Sequence, residues 1–156
     1  MLLKRARAQL EAGGCGTVLI DLASIPADAL LGRSEDDKLQ QAIEAVTESQ
    51  IVVASSPTYR ATYTGLLKTF FDLLPQDCLV GKIGLPILTG GGPWHHLAVD
   101  HTFRPLFASL GATVVTGVYA YDAQFKNGPE ATLLEKVERA AEEALALART
   151  MAEATQ

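Results

Sequence analysis

The chain has 156 residues, 48% of them apolar and 20% charged, with 13 basic against 18 acidic side chains and a net charge of −5. That is enough apolar material for the core of one domain over residues 1–156, and it excludes a disordered chain. The acidic balance argues against a binder of nucleic-acid phosphates, and no apolar run reaches the roughly 18 residues of a membrane span.

The opening residues, Met1 to Arg7, have no apolar stretch behind their charges and do not read as a secretory leader. In residues 2–12, Leu3, Ala6 and Leu10 share a helical face, and Gly13-Gly14 stops the helix. Residues 16–22 (GTVLIDL) predict a strand, and 23–34 a loop. Residues 35–48 predict a helix with Leu39, Ala42, Ile43 and Val46 inward, Ser34 as its cap and Asp37 at the capping-box spacing. Ile51 to Ala54 is continuous and β-branched, which predicts a central strand buried on both faces. A polar loop, Ser55 to Tyr63, follows.

Residues 64–74 (TGLLKTFFDLL) predict a helix apolar almost all round. The sheet covers one face, and a second chain is expected on the other, with Phe70 and Phe71 in the contact. Residues 82–89 predict a strand, placed at an edge because Pro86 cannot donate to a ladder. Gly90 to Pro93 is a sharp loop, 95–110 a helix, 112–121 a strand, and 129–153 a long amphipathic helix. Alternation of this kind gives a doubly wound parallel sheet in three α/β/α layers. The count is uneven, since five helices meet four strands and the chain opens on a helix.

No P-loop, GxGxxG turn after a first strand, GxSxG elbow or CxxC pair is present. Cys15 and Cys78 are too few for a disulfide framework and suit a reducing cytoplasm. His95, His96, Asp100 and His101 invite a metal reading, but no third ligand has the spacing, and no metal is expected. The loops Pro57–Arg60 and Thr89–Gly91 fall at the carboxyl ends of two strands, where open parallel sheets bind ligands. One is stiffened by proline and carries an aromatic ring, and the other is glycine-rich, which suits a flat heteroaromatic ligand or two ordinary turns. Pro105 removes an N–H and clashes with the carbonyl of His101, so a one-residue π-bulge or a plain kink is expected there.

Ser56-Pro57-Thr58-Tyr59-Arg60-Ala61-Thr62-Tyr63-Thr64-Gly65-Leu66-Leu67-Lys68-Thr69 resembles the helix entry of the flavodoxin-like NAD(P)H-dependent FMN reductases. Leu73-Leu74-Pro75, Thr89-Gly90-Gly91, His95, Leu97 to Asp100, Arg104-Pro105-Leu106, Asp122 and Gln124 continue the likeness. It is closest to the FMN reductases of two-component sulfonate monooxygenase systems. The resemblance implies hydride transfer from NADPH or NADH to FMN, and reduced flavin passed to a partner monooxygenase. It implies that Pro57, Thr58, Tyr59 and Arg60 pack along the isoalloxazine and that Thr89, Gly90 and Gly91 line its pyrimidine side. It implies a homodimer or homotetramer, with a π-helical insertion at His101 near an interface and linked to flavin release. No acid–base residue is required, because hydride passes directly between the rings.

Members of that family open on a central strand and a serine- and arginine-bearing phosphate loop, and this sequence starts within the helix that follows. Burying four strand side chains is worth about 6–12 kcal/mol, against about 5–15 kcal/mol for a whole domain. The sequence is therefore expected to be incomplete at its start, or to begin at a wrongly chosen methionine, and as it stands to bind FMN poorly or not at all. Two other readings stay open: a self-associating fragment without catalysis, and an electron carrier that retains its FMN.

Overall fold

In the computed structural model, which describes residues 1–154, four parallel strands form one sheet with helices on both faces. Helix α1 (Leu2–Ala12) turns Leu2, Ala6 and Leu10 inward. Two glycines end it for different reasons. Gly14 takes φ +92°, which L side chains rarely adopt. Gly13 makes room, since a Cβ there would stand 2.5 Å from Leu145 Cδ1. Helix α6 (Ala131–Ala154) can therefore lie close, and Arg149 donates to the Gly13 carbonyl at 3.0 Å. Together α1 and α6 cover one face of the sheet.

Helix α2 (Ala27–Leu30) interrupts the predicted loop and buries Ala29 and Leu30. The cap of α3 (Asp37–Glu48) is Asp36 rather than Ser34, because Asp36 Oδ1 accepts from the Leu39 N–H at 3.1 Å. A carboxylate there also suits the positive end of the helix dipole.

Strand β1 (Ile51–Pro57) runs three residues further than the sequence suggested, and it is an edge strand, paired only with β2 (Ile83–Gly90). Residues 16–20 take no strand assignment and join no ladder among the described residues, and a 3₁₀ turn follows at Leu22–Ser24. A groove of about 1140 Å³ runs between residues 16–21 and β1. The strand expected at 16–22 and the central place expected for β1 are corrected for this one reason: the two segments do not touch as a ladder.

Pro86 lies in the central strand and not at an edge. Its neighbour on that side is broken into β3 (Thr113–Val114) and β4 (Val118–Tyr121), where one strand over 112–121 was predicted. Pairing stops after Gly84↔Val114 and resumes at Ile87↔Val118, so the missing N–H of Pro86 falls in the gap. Gly117 fits the gap against Pro86 and Val99, and a Cβ there would stand 2.1 Å from Val99 Cγ1. Arg104 donates to the carbonyls of Val114 at 2.7 Å and Val115 at 3.3 Å, and Glu143 accepts from the Thr116 N–H. Side chains replace the backbone bonds that the break removes.

The second face carries α3, α4 (Gly65–Asp72) and a π-helical turn (Val99–Phe103) that runs into α5 (Arg104–Ala108). The Arg104 N–H bonds to the Val99 carbonyl, five residues back, so the bulge expected upstream of Pro105 is present. The helix is shorter than the predicted 95–110, since Pro93–His95 is a 3₁₀ turn. Tyr63, Phe103, Phe107 and Phe71 form a continuous aromatic series with centroids 5.3, 5.6 and 5.4 Å apart.

That series alters the argument for α4. Phe70 and Phe71 are only 3% and 5% exposed within the single chain, and Leu67 and Leu74 are buried too. Leu66 alone among its large apolar residues is exposed, at 41%. Phe70 and Phe71 therefore need no second chain to cover them, and the reason for placing them at a subunit contact is removed.

Candidate functional site

The two predicted loops meet at one end of the sheet. The Thr58 N–H donates to the Thr89 carbonyl at 2.6 Å, so Pro57–Arg60 and Thr89–Gly91 leave β1 and β2 side by side. Ser56, nearly buried, clamps the base of the first loop. Its Oγ accepts from the Thr64 N–H at 3.0 Å and donates to the Pro57 carbonyl at 2.9 Å. Thr64 in turn caps α4 through the Leu67 N–H. The loop is thereby pinned at both ends to the start of a helix.

The tip of this loop is a two-residue reversal. The Tyr59 N–H donates to the Thr62 carbonyl at 2.9 Å, and the Thr62 N–H returns a bond at 3.3 Å. Arg60 and Ala61 both take positive φ, 53° and 64°. Such a turn favours Asn and Gly, so holding Arg and Ala there costs of order 1–3 kcal/mol each. The Tyr59 side chain beside this turn is 66% exposed. Inside the loop the Thr58 Oγ1 is buried without a hydrogen-bond partner among the described residues. A buried hydroxyl left unmatched marks a place where a polar ligand atom is expected.

The glycine loop is shaped from below by Tyr119 on β4. A Cβ on Gly90 would stand 2.3 Å from the Tyr119 Oη, which donates to the Gly92 carbonyl at 2.5 Å. Burial pushes the Tyr119 phenol above its ordinary pKa, which keeps it a donor. Gly91 is open by comparison: a Cβ there would find only Asp122 Oδ2, at 3.9 Å. Gln124, buried beside this loop, accepts from the Tyr121 N–H and donates to Glu130. The next turn exposes Trp94, at 80%, and Leu97.

The structure thus brings Pro57, Thr58, Tyr59, Arg60, Thr89, Gly90 and Gly91 to one edge. His95, His96, Asp100 and His101 are exposed, and no group of three His, Cys, Asp or Glu side chains able to share an ion occurs among the described residues. His101 and Pro105 sit on the π-turn and α5, away from the glycine loop in sequence. Arg5 at the amino end of α1 is engaged by Glu138. Sequence reasoning missed Tyr119, the Ser56–Thr64 clamp and the orphaned Thr58 hydroxyl. The first depends on the β2–β4 register, and the other two on a loop closure that no periodicity signals. No helix among the described residues is long and apolar enough to cross a membrane.

The chain matches the family described as NADPH-dependent FMN reductase over residues 1–127. It is 37% identical over 126 residues to an FMN reductase (NADPH) of Pseudomonas putida, covering 80% of this chain and 64% of that relative's length. The chain therefore spans under two thirds of that protein. Its fold overlays on an NADH:FMN oxidoreductase (EMOB, apo form) with TM-score 0.86 and 34% identity, covering 92% of this chain and 79% of the other. An archaeal flavodoxin, 14% identical with TM-score 0.62 over 96% of this chain and 87% of its own, shares the fold. On these matches, and with both expected loops meeting at the strand carboxyl ends, the chain belongs to the NADPH-dependent FMN reductase family and has a flavodoxin-like fold.

Proposed function

We propose that the paired loops hold the isoalloxazine of FMN and that the protein reduces it with NADPH or NADH. The observation that carries this is the unmatched Thr58 hydroxyl, buried where the two loops meet. A flat ring with polar edges fits such a place, because the buried hydroxyl needs a partner and the two loops stand side by side. FMN supplies the hydride acceptor when bound, and the protein needs no proton-transfer residue. Thr58 offers a hydrogen bond to a ring heteroatom, and the backbone of Gly90 and Gly91 bounds the pyrimidine edge. Tyr119 fixes that backbone by holding the Gly92 carbonyl. Pro57 and Tyr59 cover the ring and exclude water from it.

The resemblance of roughly residues 40–125 to reductases of sulfonate systems supports release of reduced FMN to a flavin-dependent monooxygenase. A homodimer or homotetramer suits that role. The exposed side chains of His101, Pro105 and Leu97 on and beside the π-turn are the proposed contact, in preference to the buried Phe70 and Phe71.

Trp94 makes the test direct, since it is the chain's single tryptophan and lies in the turn after Gly91. Titration with FMN is expected to quench its emission saturably, though only at high FMN concentration, and NADPH is expected to be consumed when FMN is present. Thr58→Val should weaken the quenching curve by about tenfold, the value of one hydrogen bond. Quenching that is linear in FMN and unchanged in Thr58→Val would overturn the placement.

A further inference from the structure

Two exposed side chains stand on the loops that meet at the strand carboxyl ends. Trp94 is 80% exposed, more than any other large apolar residue among the described residues. An indole left open to water is unusual, since tryptophan is highly buried on average. This ring is nonetheless held. A Cβ on Gly92 would stand 2.8 Å from Trp94 Nε1 and 3.1 Å from its Cδ1, so the indole edge lies on backbone that only glycine leaves free. The carbonyl of the same Gly92 accepts from the Tyr119 Oη, which anchors this platform from beneath.

Arg60 comes from the other loop, two residues past the Thr58 N–H that bonds to the Thr89 carbonyl. It is exposed and takes part in no ion pair among the described residues. The Tyr59–Thr62 reversal fixes its backbone at φ 53°, a conformation that suits asparagine or glycine better. A strained position that carries a free cation points to use of the charge. In a chain of net charge −5, that guanidinium is a seat for a phosphate on this edge. The Asp122 carboxylate beside Gly91 repels a phosphate from the glycine loop and favours the side of Arg60.

A flat open face and a free cation are what a nucleotide needs: the base stacks, and the phosphate takes the fork of the guanidinium. We propose that Trp94 and Arg60 form the subsite for the hydride donor, with Trp94 stacking one of its bases and Arg60 holding one of its phosphates. The inference rests on the flavin-reductase reading and adds the residues that select the dinucleotide.

The test uses the full chain without flavin, so it can fail while the FMN titration succeeds. NADP⁺ and NAD⁺ are titrated separately and binding is read by calorimetry. Saturable binding of NADP⁺ is expected. Arg60→Gln should weaken it by about tenfold or more, the value of one charged hydrogen bond. Trp94→Leu should weaken it by about tenfold, and Trp94→Phe should restore most of the loss. Both side chains are exposed, so the unfolding midpoints should stay unchanged. If Arg60→Gln weakens NADP⁺ alone, Arg60 holds the 2′-phosphate; if it weakens NAD⁺ equally, it holds the pyrophosphate, and either result upholds the subsite. Heats that never saturate, or binding unchanged in both Arg60→Gln and Trp94→Leu, would overturn the proposal. So would a Trp94→Leu chain of lower sedimenting mass with NADP⁺ binding intact, since the indole would then be a subunit contact.

Discussion

Replacing Gly90 by alanine should disturb the glycine loop through one atom pair. The new Cβ would stand 2.3 Å from the Tyr119 Oη and 3.2 Å from its Cζ. Ordinary contact is about 3.5 Å, so the ring must move by roughly 1 Å. Its hydroxyl then loses the Gly92 carbonyl, worth about 0.5–1.5 kcal/mol, and the displaced ring adds about 1–3 kcal/mol of overpacking. The expected loss is about 2–4 kcal/mol, which for a chain of this size lowers Tm by roughly 4–16 °C. The informative measurement is a double-mutant cycle by denaturant unfolding. Tyr119→Phe alone should cost about 1 kcal/mol, and in that background Gly90→Ala meets carbon only at 3.2 Å. A coupling of at least about 1 kcal/mol is expected. Costs that add to within about 0.5 kcal/mol would show that the hydroxyl does not shape the loop.

Ala61→Gly should raise stability by about 1 kcal/mol, read as a Tm gain of roughly 2–4 °C, because only the positive φ of the turn is relieved. Gly84→Ala should lower stability by about 1–3 kcal/mol, since a Cβ would stand 2.6 Å from Phe107 Cδ1 under the aromatic series. Burial pushes the Cys78 thiol above its ordinary pKa, so its alkylation should be slower than that of a free cysteine at the same pH and should speed up in denaturant. His101→Ala should leave unfolding within about 0.5 kcal/mol, as an exposed side chain, while lowering the sedimenting mass and tightening FMN if the π-turn carries the assembly.

The sequence was most readable where a single residue has a strong local consequence. Pro105 foretold the π-turn because its missing N–H and its ring act on the residue four back, whatever the tertiary context. The helices at 2–12, 37–48 and 131–154 were legible for a related reason: their apolar periodicity is long. Strand position was read poorly, because pairing is decided by distant partners. Pro86 suggested an edge, yet it is tolerated in the centre only because Gly117 and Arg104 come from elsewhere to manage the break. Phe70 and Phe71 suggested a second chain, because a helical wheel cannot reveal that Phe107 arrives on the same side. Topology was enough to bring the two loops to neighbouring strand ends, whereas the Thr58 hydroxyl and Tyr119 needed the loops to close first.

The π-turn joins two packed parts of the molecule. On its upstream side Val99 seats against Gly117 in the strand break. On its downstream side Phe103 and Phe107 stack at 5.6 Å, and Arg104 reaches the carbonyls of Val114 and Val115. The Arg104 N–H already stands one turn above the Val99 carbonyl, although five residues separate them. Deleting one residue between 99 and 103 would turn that bond into the regular four-back bond and leave both rings in the core and the guanidinium at the sheet. The extra residue is therefore carried as a bulge on the helix wall, so the packing on either side of it keeps its phase.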